Sequence, residues 1–259
     1  IDERFAKVKA DGRKALITFL TVGDPNLEVS EKAIYTMQEE GVDLIELGVP
    51  FSDPAADGPV IQRADERALA QGVDIFKVFE LVRKIRNNVE VPMVFLLYYN
   101  VMVQYGIEKF FKRCQETGVD GLIIPDLPYE ESDEIKEYTE KYGVYQISLV
   151  SPTSKDRIKN IAKDAKGFLY CISSLGVTGE KSSFVTNFDE FVGTIKKYTD
   201  VPACVGFGVS NGRQVKELTK YFDGAIVGSA IVKSIATGES VEERINNLRE
   251  KIKDLKSGL

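Results

Sequence analysis

ALITFLTVGDPN, residues 15–26, decides the fold, together with LEVSEKAIYTMQEE, which follows from Leu27 to Glu40. The first six residues are apolar but for Thr18, a near-continuous run rather than an alternating one. A strand reads this way when it lies in a parallel sheet whose outer face is covered by helices. A short turn with a single glycine leads to a stretch of helical period, with Asn26 placed to cap it. A doubly wound nucleotide-binding sheet would carry a glycine-rich turn at this point. Its absence favours a barrel.

Seven further runs of the same kind begin near Leu44, Met93, Gly121, Tyr145, Phe168, Pro202 and Gly224. Most intervals are the size of one strand–helix unit, with an insertion after the second run. Ser154, Asn187 and Ser240 are expected N-caps of intervening helices. Gly-Val-Asp enters a strand at 41–43 and again at 118–120, and Asp223-Gly224 echoes it, a weak trace of a repeated unit. No Pro/Gly/Ser-rich linker divides the chain. The expectation is one (β/α)8 TIM barrel domain over 1–259, of class α/β. It should carry an extra N-terminal helix and extra helices inserted after strand 2 and near the C-terminus.

Composition narrows the chemistry. The 259 residues contain no His and no Trp, so a Ser-His-Asp triad, a Cys-His pair and His-ligated metals are all excluded. Proton transfer near neutral pH falls to Asp, Glu, Tyr, Lys or Cys. Cys114, Cys171 and Cys204 have neither disulfide-framework nor zinc spacing and read as small buried hydrophobes. A net charge of −6, with both signs mixed throughout, gives no basic stripe for nucleic acid. No run reaches the roughly 18 apolar residues of a membrane span. A cytoplasmic location is expected, with no nucleic-acid or membrane partner.

In a barrel the chemistry sits at the C-terminal ends of the strands. The second run ends in ELGVPFSDPAADGP, Glu46 to Pro59. Glu46 interrupts an apolar strand, and a carboxyl in an apolar mouth has its pKa raised toward neutrality, which suits proton transfer. Asp57 lies in a proline-stiffened loop that can reach back over the same pocket. Two carboxyls in different surroundings divide acid/base labour. The plainer alternative is a salt-bridged Glu46 and loop aspartates that serve turns. Glycines follow three late runs, in GVTG (176–179), GFGVS (206–210) and GSA (228–230), as a backbone-amide phosphate cradle requires. Phe19, Leu96, Tyr98 and Tyr170, at other strand ends, line a flat apolar slot or are plain core.

The chain resembles the tryptophan synthase α subunit family. The resemblance rests on FLTVGDP (19–25), ELGVPFSDPAADGPVIQ (46–62), LLYYN (96–100), GVDGLIIPDLP (118–128), GVTG, GFG and GSAIVK (228–233), in order over nearly the whole chain. It implies retro-aldol cleavage of indole-3-glycerol phosphate to indole and glyceraldehyde 3-phosphate, with no metal and no cofactor in this chain. Glu46 matches the family's catalytic glutamate and Asp57 its aspartate. Phe19, Leu96, Tyr98 and Ile123 map to the indole slot and Tyr170 to the glycerol chain. Gly179, Gly208, Gly228 and Ser229 map to the phosphate cradle, Phe207 to the substrate site, and Thr178 to a mobile-loop threonine. The family's partner is a β subunit that uses pyridoxal phosphate, in an α2β2 heterotetramer, and Asp53, Pro54, Asn100 and Asp126 map to that interface. Loops 50–59 and 173–187 fit a lid role. Ala55 stands where Leu is usual, and Ser174-Leu175 replace an arginine and a small residue. The competing readings are a free-standing lyase, another phosphate-binding barrel transferase, and a non-catalytic activating subunit.

Overall fold

The computed structural model describes residues 1–154, 156–172, 187–206 and 208–259. α1 (Asp2–Ala10) leads into β1 (Ala15–Thr21) and α2 (Leu27–Glu39). β2 (Leu44–Gly48) is followed by α3 (Pro59–Ala70) and α4 (Ile75–Ile85), and β3 (Met93–Leu96) by α5 (Tyr99–Tyr105) and α6 (Ile107–Thr117). β4 (Gly121–Ile123) precedes α7 (Asp133–Tyr142), and β5 (Tyr145–Gln146) and β6 (Ser148–Val150) precede α8 (Ile158–Asp164). β7 (Leu169–Ile172), α9 (Phe188–Lys196), β8 (Ala203–Gly206), α10 (Gly212–Leu218), β9 (Gly224–Val227), α11 (Ser229–Ala236) and α12 (Val241–Lys256) complete the order.

The strands are parallel and run β5-β4-β3-β2-β1-β9-β8-β7-β6 around the sheet. β5 and β6 are two halves of one run, separated only by Ile147. The first half pairs with β4 and the second with β7, so chain continuity closes the sheet into a barrel. Alternation along each strand sends one set of side chains inward and the other outward. Ile17, Leu44, Val94, Ile123, Ile147, Phe168, Cys204 and Ile226 fill the interior. The outward set packs under the helices, where Phe79 of α4 meets Phe95 of β3 and Phe110 of α6 edge-on at 5.3 Å each. Each such aromatic contributes about 2–3 kcal/mol by leaving water.

The Gly-Val-Asp trace has a structural meaning at the N-terminal rim. Asp43 accepts the Leu16 N–H at 3.0 Å, Asp120 the Met93 N–H at 2.8 Å and Asp223 the Ala203 N–H at 2.9 Å. Each aspartate thus staples its own strand to a neighbour. Each also has a cation: Arg13 for Asp43, Arg86 for Asp120 and Lys196 for Asp223.

α1, the α3–α4 pair after β2 and the α11–α12 pair near the C-terminus match the expected additions to the barrel. Asn26, Asn187 and Ser240 cap helices as expected, each accepting an N–H three residues on. Ser154 does not. Its backbone carbonyl accepts from Arg157 and Ile158, which builds a turn first, and the helix begins at Ile158 with Arg157 at the cap position. α5 was not anticipated: it is short and buries only Met102. The Cys114, Cys171 and Cys204 thiols are free and buried. Among the described residues, no helix is long and apolar enough to cross a membrane.

Candidate active site

Glu46 sits in the middle of β2, in register with Phe19 of β1 and Val94 of β3. It shares the inward face with Leu44 below and Gly48 above, because side chains alternate. Its side chain is 1% exposed, and among the described residues its Oε1 has no hydrogen-bond partner. Burial of the charged form pushes its pKa up to about 8. A carboxyl held this way is protonated at neutral pH and close to its own midpoint, the condition for giving and regaining a proton.

Asp57 approaches from the loop between β2 and α3. The loop is braced locally: the Asp57 N–H donates to the Pro54 carbonyl at 3.0 Å, and Gln62 Nε2 donates to the Asp57 carbonyl at 2.8 Å. Its carboxylate is buried and accepts the Tyr98 hydroxyl at 2.7 Å, while the Tyr98 oxygen accepts the Ala56 N–H at 2.9 Å. Phe51 stacks on the Tyr98 ring with centroids 4.9 Å apart. Burial raises the Asp57 pKa and the Tyr98 hydrogen bond opposes that rise. Tyr170, on β7, has its hydroxyl pKa raised by burial first and then by the charges of Glu46 and Asp57.

Two glycines make room for aromatic rings. A Cβ on Gly48 would lie 2.5 Å from Phe19 Cζ, and one on Gly206 would lie 2.6 Å from the Tyr170 hydroxyl. Any side chain at either position would displace the ring. Gly206, read from sequence as part of a phosphate cradle, therefore serves Tyr170. Above the filled interior, Leu96, Leu149 and Ile172 are only half-buried, so the barrel opens there. Ile123 lies on the same inner wall.

Gly208, Gly228 and Ser229 stand at the C-terminal ends of β8 and β9. Gly208 adopts φ +89, a left-handed conformation that favours glycine. Gly228 is the N-cap of α11 and Ser229 its first residue, so the first-turn N–H groups have no partner within the helix. Asp53 and Asn100 are exposed and Pro54 half-buried, in segments that follow β2 and β3. Asp126, after β4, is exposed and accepts the Tyr99 N–H at 2.9 Å, which caps α5. Thr178, Gly179 and Phe207, with Ser174 and Leu175, lie outside the described residues. Among those that are described, no cluster of His, Cys, Asp and Glu could hold a metal ion.

Sequence reasoning passed over Asp65, a 5% exposed carboxyl on α3 whose pKa is pushed up to about 8 by burial first and then by Asp57. The signal was present: Asp65 falls in the buried stripe Ile61, Ala64, Asp65, Ala68.

A parallel barrel with one unpartnered carboxyl buried on its inner wall and a second buried in the loop after the same strand is the architecture of a barrel enzyme built for proton transfer. The family model for the tryptophan synthase alpha chain matches residues 5–259. A tryptophan synthase alpha chain of Thermoanaerobacter sp. (strain X514) is 47% identical over 259 residues, covering 100% of this chain and 99% of the relative. One from Methanocaldococcus jannaschii is 48% identical over 235 residues, covering 90% and 83%. A solved structure of Mycobacterium tuberculosis tryptophan synthase superposes with a TM-score of 0.90 at 35% identity, covering 99% of this chain and 96% of that one. The chain belongs to the tryptophan synthase alpha chain family.

Proposed function

We propose that this chain, as one barrel domain, cleaves indole-3-glycerol phosphate to indole and glyceraldehyde 3-phosphate, and that Glu46 is its proton shuttle. The observation that carries the reading is the buried Glu46 carboxyl, with its Oε1 unpartnered among the described residues, on an otherwise apolar inner wall. Family membership supplies the substrate class.

The chemistry follows from charge. Protonated Glu46 donates to the indole carbon that bears the glycerol chain, and the ring becomes cationic. The Asp57 anion accepts the indole N–H and stabilises that charge, with the Tyr98 hydroxyl holding its carboxylate. The Glu46 carboxylate then takes the proton from the adjacent hydroxyl. The carbon–carbon bond breaks, its electron pair returns to the ring, and the aldehyde leaves. Glu46 ends as it began, so no external acid, base or cofactor of this chain enters the balance.

Phe19, Leu96, Tyr98 and Ile123 form the flat slot for the ring, and Tyr170 borders the glycerol chain. Amides at Gly208, Gly228 and Ser229 face the phosphate, together with the N-terminus of α11; by resemblance Gly179 belongs to the same set, Phe207 to the substrate site and Thr178 to a mobile loop. Asp53, Pro54, Asn100 and Asp126 form the contact with a β subunit carrying pyridoxal phosphate, in an α2β2 assembly in the cytoplasm. The similarity to a solved tryptophan synthase supports this partner.

The test is indole release from indole-3-glycerol phosphate by the wild type and Glu46→Gln, with and without a tryptophan synthase β subunit. Weak release alone, a large rise with the partner and a severe loss in the variant are expected. No indole from the wild type in either condition would overturn the lyase assignment, and full activity alone would overturn the dependence on a partner.

A further inference from the structure

We propose that Asp65 is a positioning residue that forms, with Asp57, a two-carboxyl pair carrying one negative charge, Asp65 keeping the proton so that Asp57 meets the substrate ionised. The inference rests on the role given to Asp57 above. α3 starts two residues after Asp57, and its buried stripe turns Asp65 inward in a setting otherwise apolar: Ile61 and Ala64 of α3 pack with Phe19 of β1 and Val232 of α11. An ionised carboxyl there is costly unless a cation or several donors meet it. Arg67, two residues on in α3, is committed elsewhere, because it grips Asp24 with Nε at 2.7 Å and Nη2 at 2.9 Å.

The donors are distributed unequally. Asp57 has the Tyr98 O–H at 2.7 Å, which favours its anion. Asp65 has the Thr21 hydroxyl, buried at the end of β1, whose contact opposes the rise in the Asp65 pKa but ranks behind burial and the Asp57 charge. The charged neighbours acting on Asp65 are Asp57, Asp24 and Glu66, all of one sign, and Tyr98 feels Asp65 in turn. Two carboxyls in one dry pocket do not both ionise at neutral pH, and the better-solvated partner takes the charge. Asp57, with the stronger donor, is that partner. Burial and Asp57 together hold Asp65 up to about 8.

The sign of the coupling gives the test. A folded-state proton kept above the unfolded value of about 3.9 means that stability falls as pH rises from there to about 8. Thermal unfolding of the whole chain is measured from about pH 5 to about pH 9 for wild type, D65N, D57N and D57N/D65N. D65N should melt higher than wild type by a margin that grows toward pH 8, because an amide has no proton to retain. In the D57N background the growth should be smaller and end at lower pH, since Asp65 then ionises more easily. A margin independent of pH, or the same margin in both backgrounds, overturns the pair. These melts need no catalysis, so they decide on the pair even if indole release fails and the lyase reading with it.

Discussion

Asp43, just before β2, and Glu46, in its middle, lie three residues apart, and both are 1% exposed. Asp43 is saturated: Arg13 grips it with Nη1 at 2.7 Å and Nη2 at 2.6 Å, and the Leu16 N–H adds a third bond at 3.0 Å. Glu46 faces an apolar wall with its Oε1 unpartnered among the described residues. Burial is the same, and partnership separates them. The N-terminal rim uses Asp43 for register and stability, and the inner wall leaves Glu46 ready to exchange a proton.

The sharpest way to break this contrast is Glu46→Gln. Indole release should fall by about 10³-fold, because an amide cannot shuttle a proton. The same variant should be more stable. A carboxyl held up to about 8 keeps a proton that the unfolded chain surrenders near 4.3, so the wild type loses stability as pH climbs between those values. The gain at pH 7 is on the order of 3 kcal/mol, read by denaturant titration. Asp43→Ala should do the reverse. Arg13 is a third exposed, so the loss is about 2 kcal/mol in urea unfolding, with kcat/KM within about twofold of wild type while the protein is folded. Tyr98→Phe should lower kcat by about tenfold. It removes the bond that holds the Asp57 pKa down, so the acid limb of the pH profile should move to higher pH. The smallest effect is in the wild type itself. kcat/KM should drop to about half its plateau near pH 8 as Glu46 loses the proton it must donate.

Much of this was legible because β-strands covered by helices leave continuous apolar runs. The runs starting at Ala15, Leu44, Met93, Gly121, Tyr145 and Gly224 begin where strands begin, and those at Phe168 and Pro202 are one residue early. Glu46 stood out as the lone charge in such a run. Asp65 did not, because an acid in an amphipathic helix looks solvated until the neighbouring strand and helix show which face is covered. Gly48 and Gly206 were opaque for a related reason: the rings they admit, Phe19 and Tyr170, come from other strands. α5 escaped because one buried residue in seven writes no period. Ser154 misled because a serine that starts a turn and one that caps a helix carry the same local signature.

The closure at Ile147 has its own consequence. β5 meets β4 only at Tyr145 and Gln146, and β6 meets β7 over Ser148 to Val150, whereas β1 and β2 run together from Ile17 to Thr21 against Leu44 to Gly48. Outside this junction a groove of about 1060 Å³ opens between the α7 and α8 sides. Protection against hydrogen–deuterium exchange is therefore uneven around the ring. Amides at 145–150 take up deuterium through local opening well before those of β1 and β2, and the barrel unzips from the side opposite Glu46.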